Sequence, residues 1–160
     1  MKNSELEKKA IENLNLSGNC AQSSFATLQD QFGLESEDIL KALTPLPGLA
    51  LRGEACGAVV GALMALGLVY GRDELSKQRS YLASVSSARK FCSEFEKEYG
   101  STSCANILEN EMGKKYNLAD SKESKNYLSA GGQAVCGKVV AQAVVIASKI
   151  IKRKISARAF

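Results

Sequence analysis

Apolar residues recur at helical spacing along most of the chain, and the segments that carry them end at glycine or proline. The segment 19–32 is the clearest case, with an apolar residue every three or four positions and Gly33 directly after it. Asn19 is a favourable residue for capping that helix. No run alternates apolar and polar residues as a half-buried strand does. The sequence therefore predicts an all-α fold, a compact helical bundle of about five to seven helices.

The boundaries of the predicted helices follow from this periodicity and from the turn-forming residues. The predicted helices cover residues 4–14, 19–32, 36–43, 53–70, 73–99, 103–116 and 132–154. The stretch 44–48 holds both prolines and breaks the chain, and the polar stretch 117–126 is expected to be a loop. A length of 160 residues suits one helical domain that spans residues 1–160.

Charge and hydropathy point to a cytoplasmic protein without nucleic-acid partners. The chain carries a net charge of +4, but five of its cations lie in the basic C-terminal tail, residues 149–160. The rest of the chain is slightly acidic, whereas nucleic-acid binding needs a basic face. The tail is interpreted as a solvated helix end whose cations complement the helix dipole. No signal peptide is expected, because the N-terminal residues form no apolar segment. The longest uncharged run, 55–71, is short for a bilayer, so no membrane span is expected.

The chain contains no histidine, and this absence removes several classes of site. A Ser-His-Asp triad, a histidine-paired cysteine nucleophile and a histidine zinc helix are excluded. A metal ion would have to bind cysteine, carboxylate or backbone oxygen. The five cysteines are therefore the main candidates for chemistry.

Four of the cysteines recur in two similar contexts. Cys20 and Cys104 each precede alanine, and Cys56 and Cys136 each precede glycine and lie before a pair of valines. This order suggests two related halves. An approximate twofold axis between the halves would bring equivalent cysteines together.

Each of these four cysteines lies near the start of a predicted helix. A helix N-terminus offers unpaired N–H groups and a positive dipole end, which lower the pKa of a thiol. Cys20, Cys56, Cys104 and Cys136 are therefore the candidate catalytic residues, and Arg52, four residues before Cys56, is a candidate supporting cation.

Two further observations limit the kind of cysteine site. Cys92 lies between Phe91 and Phe95 in a predicted helix and is expected to be an inert core residue. The chain has no CxxC motif, which argues against a thioredoxin-type site and against a short zinc knuckle.

Small residues recur every fourth position from Gly53 through Gly57 and Gly61 to Ala65. Such a stripe lets another helix backbone approach closely. Core packing is the ordinary use of the stripe, and a homodimer interface would use it equally well.

The residues resemble the redox-active protein family named for its C_GCAxxG_C_C cysteine pattern. The CGAxxG motif of that family matches residues 56–61, and its single cysteines match Cys20, Cys104 and Cys136. The resemblance implies a redox activity, and members often lie near transporter genes, but it implies neither a substrate nor a cofactor. Members usually carry a Gly-rich run before the CGA motif, where this chain has the less glycine-rich stretch 45–53. A loop shaped by that run would be altered here.

Three functions remain open on the sequence. The first is thiol–disulfide or persulfide exchange with an unknown thiol, disulfide or electron-transfer partner, in which one cysteine attacks and another resolves. The second is a four-cysteine site that holds an Fe–S cluster or zinc. The third is a non-catalytic helical interaction module whose cysteines belong to the core, with the basic tail as its docking element.

Overall fold

Nine helices form in the part of the chain that the computed structural model describes, residues 1–34 and 36–158. They are α1 Asn3–Ser17, α2 Cys20–Phe32, α3 Glu37–Ala42, α4 Gly48–Leu51, α5 Gly57–Tyr70, α6 Gln78–Tyr99, α7 Cys104–Met112, α8 Ser121–Ser129 and α9 Gly132–Arg158. The predicted all-α class is confirmed. The prediction of five to seven helices was too low, because it did not include α4 and α8.

The core is built around α5, which contains no charged residue and packs against α2, α6 and α9. Glycine makes the contact between α5 and α2 very close. A Cβ atom on Gly61 would overlap the carbonyl oxygen of Ala21 and the hydroxyl of Ser24. The small-residue stripe of α5 therefore serves core packing, and it holds the start of α2 against the start of α5.

The start of α5 differs from the prediction. The helix begins at Gly57, four residues later than predicted, because Gly53 has a φ of 79° and lies outside it. The intervening segment forms an isolated antiparallel bridge between Ala55 and Ser103. This bridge ties the segment before α5 to the segment before α7.

The predicted loop at 117–126 was wrong, because α8 occupies much of it. The Asp120 carboxylate caps the helix by accepting the N–H groups of Lys122 and Glu123 at 3.0 and 2.8 Å. Tyr127, in the last turn, packs edge-on against Tyr116 with 5.9 Å between the ring centres. The cap, this aromatic contact and packing against α9 stabilise a helix whose composition is polar.

One helix in the described part of the chain, α9, is long and apolar enough to cross a membrane by length and composition alone. Two thirds of its apolar window is buried inside the protein, as in the central helix of a helical core. It packs against α1, α2 and α5.

The two halves suggested by the sequence are not packed equivalently. Cys20 and Cys104 are each the first residue of a helix, α2 and α7. Cys56 precedes the first turn of α5, whereas Cys136 lies one turn inside α9. In addition, α2 packs along α5, while α7 makes only a small contact with α9. The similarity between the halves is thus limited to the starts of α2 and α7, where Cys20 and Cys104 lie at equivalent positions.

Candidate four-cysteine site

The four cysteines of the repeated contexts line one small space, called here the inner cavity. Cys20, Cys56, Cys104 and Cys136 all border it, together with apolar side chains of α5, α7 and α9. Its volume is about 20 Å³, which is room for about one water molecule. The sequence prediction placed these residues in one site, and the structure brings all four together. Cys92 lies elsewhere, half-buried on α6.

Backbone hydrogen bonds hold Cys56 and Cys104 side by side. The N–H of Cys56 donates to the carbonyl of Thr102 at 2.8 Å, and the N–H of Cys104 donates to the carbonyl of Glu54 at 2.6 Å. These bonds flank the Ala55–Ser103 bridge. They join residues almost fifty positions apart in the chain, so no local sequence pattern announces them.

Cys20 is positioned by the cap of its own helix and by the nearest glycine of α5. The Asn19 side-chain oxygen accepts the N–H groups of Ala21 and Gln22 at 3.1 and 3.0 Å, and its amide donates to the carbonyl of Thr44 at 3.0 Å. A Cβ atom on Gly57 would overlap the Cys20 sulfur. The Cys20 sulfur therefore lies directly against the first residue of α5.

The stretch before the CGA motif forms a single left-handed turn. Gly48, Leu49, Ala50 and Leu51 have φ values of 56°, 48°, 61° and 63°. Only glycine adopts this region without strain. The turn lies close to Cys104, since a Cβ atom on Gly48 would be 3.7 Å from the Cys104 sulfur. The sequence predicted an altered loop here, because the stretch has a low glycine content. Its backbone nevertheless adopts the left-handed conformation that glycine favours.

A larger pocket, called here the outer pocket, adjoins the inner cavity. It has a volume of about 300 Å³ and is bordered by Cys20, Cys104 and Cys136. Cys56 borders only the inner cavity and is 6% exposed. A small molecule in the outer pocket would therefore meet three sulfurs first, with the fourth behind them.

The expectation of lowered thiol pKa values was wrong, because burial outweighs the helix N-termini. Burial raises the pKa of Cys56 and of Cys104 to about 12, and it raises the pKa of Cys20 and Cys136 as well. A negative charge on one of these sulfurs also repels charge on the others, which raises the pKa values of Cys20, Cys56 and Cys104 further.

The helix N-terminus does act on two of the sulfurs, in the predicted direction. The N–H groups of Ala58 and Val59, in the first turn of α5, lower the pKa of Cys56. The Ala58 N–H also lowers the pKa of Cys20. Arg52 is exposed, and the largest influences on Cys56 are burial and Cys104. The supporting role of Arg52 stays a prediction.

Tyr127 is a site residue that the sequence prediction missed. Its hydroxyl forms a hydrogen bond with Cys136 that lowers the pKa of the thiol, while burial and this contact raise the pKa of Tyr127 itself. The ring of Tyr127 lies where a Cβ atom on Gly132 would be, so the glycine at the start of α9 makes room for it. The sequence offered one signal, a second tyrosine, Tyr116, against which Tyr127 packs. The polar residues between the two tyrosines resembled a loop, so the signal was missed.

Four cysteine sulfurs would suit zinc or an Fe–S cluster in chemistry. Across residues 1–34 and 36–158, however, no three cysteine or carboxylate side chains are grouped closely enough to hold a metal ion. The cysteines as arranged do not fit a metal centre.

Comparison with known proteins yields a family match. A family model described as "Putative redox-active protein (C_GCAxxG_C_C)" matches residues 18–150. No curated protein and no solved structure matches the chain. The matched range contains the four cysteines of the inner cavity, the outer pocket except Leu14, and α8 with Tyr127.

Proposed function

The chain belongs to the redox-active C_GCAxxG_C_C family, and we propose that its cysteines perform thiol–disulfide exchange, with Cys20 attacking and Cys56 resolving. The observation that carries this proposal is the position of the Cys20 sulfur. It borders the outer pocket, and it lies against the first turn of α5, where Cys56 is its neighbour behind the pocket.

The backbone N–H groups distinguish Cys20 from the other two sulfurs that face the outer pocket. The Ala58 N–H lowers the pKa of both Cys20 and Cys56. Burial is the largest influence on the pKa of all three sulfurs, and Tyr127 favours the thiolate of Cys136. These N–H groups offset only part of the effect of burial, which raises the pKa of Cys20 above that of Cys104. The attack is therefore assigned to Cys20 on its position, at the outer pocket and against the first residue of α5, and not on its pKa.

The exchange has two steps. The Cys20 sulfur attacks one sulfur of a disulfide RSSR, a protein–substrate disulfide forms, the RS–SR bond breaks, and the leaving thiolate takes the proton that Cys20 loses. The Cys56 sulfur then attacks the Cys20 sulfur, forms an internal disulfide and releases the second RSH. Two thiols of the protein are oxidised and one disulfide is reduced to two thiols, so atoms and electrons balance.

A trapping experiment tests this assignment. Cys56→Ser, treated with a small disulfide, is expected to accumulate one substrate adduct on Cys20, detected by intact mass and peptide mapping. Cys20→Ser is expected to form no Cys56 adduct, and Cys92→Ser, outside the site, is expected to behave as wild type. An adduct that accumulates on Cys104 or Cys136 in the Cys56→Ser variant would overturn the roles assigned here.

The native mass of protein purified without oxygen separates this function from metal binding. Exchange predicts the mass of the polypeptide alone, with five thiols that alkylate after denaturation. An additional mass equal to zinc or to an Fe–S cluster, lost on denaturation, would replace exchange by the four-cysteine metal site.

A further inference from the structure

The outer pocket differs in charge from the surface around it. None of the described residues that border it carries a formal charge, although charged residues make up 24% of the chain. Its apolar wall is formed mainly by Leu14, Pro47, Leu51, Leu118, Tyr127 and Leu128. The polar groups at its border, Ser124 and Gln133, are neutral. A charged ligand would lose hydration on entry and would find no ion partner in exchange.

The size of the pocket sets a second limit. About 300 Å³ lies at the small end of the range for ligand pockets and corresponds to roughly ten water molecules. The inner cavity behind it admits about one water-sized group, so the substrate cannot extend further inward. The reacting disulfide must therefore fit in the outer pocket with its substituents.

From charge and size together we infer that the substrate is a small, uncharged disulfide with short substituents. This inference rests on the proposed function and specifies its substrate class. The large, multiply charged disulfides of peptide thiols do not match this pocket. The sulfur–sulfur bond of a small neutral disulfide can reach Cys20 while its substituents contact the leucine wall.

Two commercial disulfides of nearly equal size separate charge from shape. Bis(2-hydroxyethyl) disulfide is neutral, and cystamine is the corresponding dication with amino groups in place of the hydroxyls. The rate of adduct formation on Cys56→Ser is measured with each probe at pH 7.5. Each rate is divided by the rate for the same variant unfolded in urea, which removes the intrinsic reactivity of the probe.

The folded protein is expected to favour the neutral probe by about tenfold or more after this correction. A corrected ratio near one would overturn the inference while leaving thiol–disulfide exchange in place. Failure of both probes to react with any of the three site cysteines that remain in folded Cys56→Ser would overturn the proposed function, and the substrate class with it.

A rim variant tests the pocket itself. Leu128 borders the pocket and is 52% exposed, so Leu128→Glu adds a carboxylate at the rim without disturbing the core. The variant is expected to raise the corrected rate with cystamine several-fold relative to the neutral probe. Leu82→Glu on α6 is the matched control, because Leu82 is exposed and does not border the pocket. An equal effect of the two substitutions would show that the selectivity does not arise in this pocket.

Discussion

The close approach of the Cys20 sulfur to Gly57 shows how contacts between single atoms determine the geometry of the site. The sulfur occupies the space where any other residue at position 57 would place its Cβ atom. The same Cβ atom would lie only 3.0 Å from the backbone nitrogen of Ala21 and 3.1 Å from the Cα atom of Pro47. The glycine of the CGAxxG motif is therefore required by the packing of sulfur and backbone at this point.

The substitution Gly57→Ala is expected to lower the free energy of unfolding by about 1–3 kcal/mol, since rigid backbone surrounds the added methyl group. Urea unfolding measures the change. Gly67→Ala in the same helix is the control, because nothing lies within 4 Å of its Cβ position. It is expected to be neutral or to stabilise the protein by up to about 1 kcal/mol through helix propensity. Equal stability of the two variants would contradict the packing argument.

The Tyr127 hydroxyl is expected to speed the reactions of Cys136. Because its hydrogen bond lowers the pKa of that thiol, Tyr127→Phe should reduce the thiolate fraction and slow alkylation of Cys136. Site-resolved iodoacetamide labelling measures the rate. Tyr116→Phe, which removes a hydroxyl from the neighbouring ring, is expected to leave the rate unchanged. A faster reaction in Tyr127→Phe would contradict this role and would show that the hydroxyl blocks access to the sulfur.

Among the elements, the left-handed turn α4 departs furthest from what local propensity predicts. Three of its residues, Leu49, Ala50 and Leu51, adopt a backbone conformation that costs about 1–2 kcal/mol per non-glycine residue. Backbone hydrogen bonds hold the turn, from Leu51 N–H to the Pro47 carbonyl at 2.8 Å and from Arg52 N–H to the Gly48 carbonyl at 3.0 Å. The turn forms one wall of the site, with Leu51 at the outer pocket and Gly48 near Cys104. Strain of this kind is characteristic of functional sites.

Relief of this strain is measurable at Ala50, which is exposed. Ala50→Gly is expected to raise the free energy of unfolding by about 0.5–1 kcal/mol, since the relief exceeds the entropy cost of glycine. The same substitution at exposed Ala134, in the right-handed helix α9, should lower it by up to about 1 kcal/mol. Thermal or urea unfolding gives both values. Destabilisation of similar size at the two positions would refute the left-handed turn.

At the scale of the whole molecule, burial controls the chemistry of the thiols. The closed core around the inner cavity keeps the thiols protonated at neutral pH, because a thiolate there would lose hydration. A dithiol without a stabilised thiolate is not an oxidant of the DsbA type, whose reduced form is stabilised. The site is therefore expected to give electrons to a disulfide and to be oxidised in turn.

This burial also predicts how stability depends on pH. The pKa of Cys56 is about 12 in the folded state, above the ordinary value of 9.0 in the unfolded chain. The neutral thiol therefore contributes its full stability below pH 9, and this contribution is lost as the pH rises from 9 towards 12, where the unfolded state ionises first.

The measurement is the urea midpoint of wild type and of Cys56→Ala from pH 7 to pH 11. Other groups titrate in the same range, so the difference between the two proteins is the informative quantity. The stability advantage of wild type is expected to be constant up to about pH 8.5 and to shrink above it. An advantage that grows with pH would mean that the folded protein holds Cys56 as a thiolate.

The sequence by itself determined the all-α class, most helix positions and the four cysteines of the site. These features depend on interactions between residues close in the chain, such as the Asn19 cap and the apolar spacing of α2. Local sequence patterns gave wrong predictions where a segment is held by residues distant in the chain. The segment 53–56 leaves the helix to pair with 102–105, and Tyr127 orders α8 through Tyr116.

Only the tertiary structure decided the state of the thiols and the access to them. A helix start near a cysteine is visible in the sequence, and the N–H groups of α5 do favour two of the thiolates. The depth of burial is not visible, because it depends on how α2, α5, α7 and α9 close around one space. Since the loss of hydration exceeds the gain from a few N–H groups, the fold reversed the direction of the pKa shift that the sequence predicted.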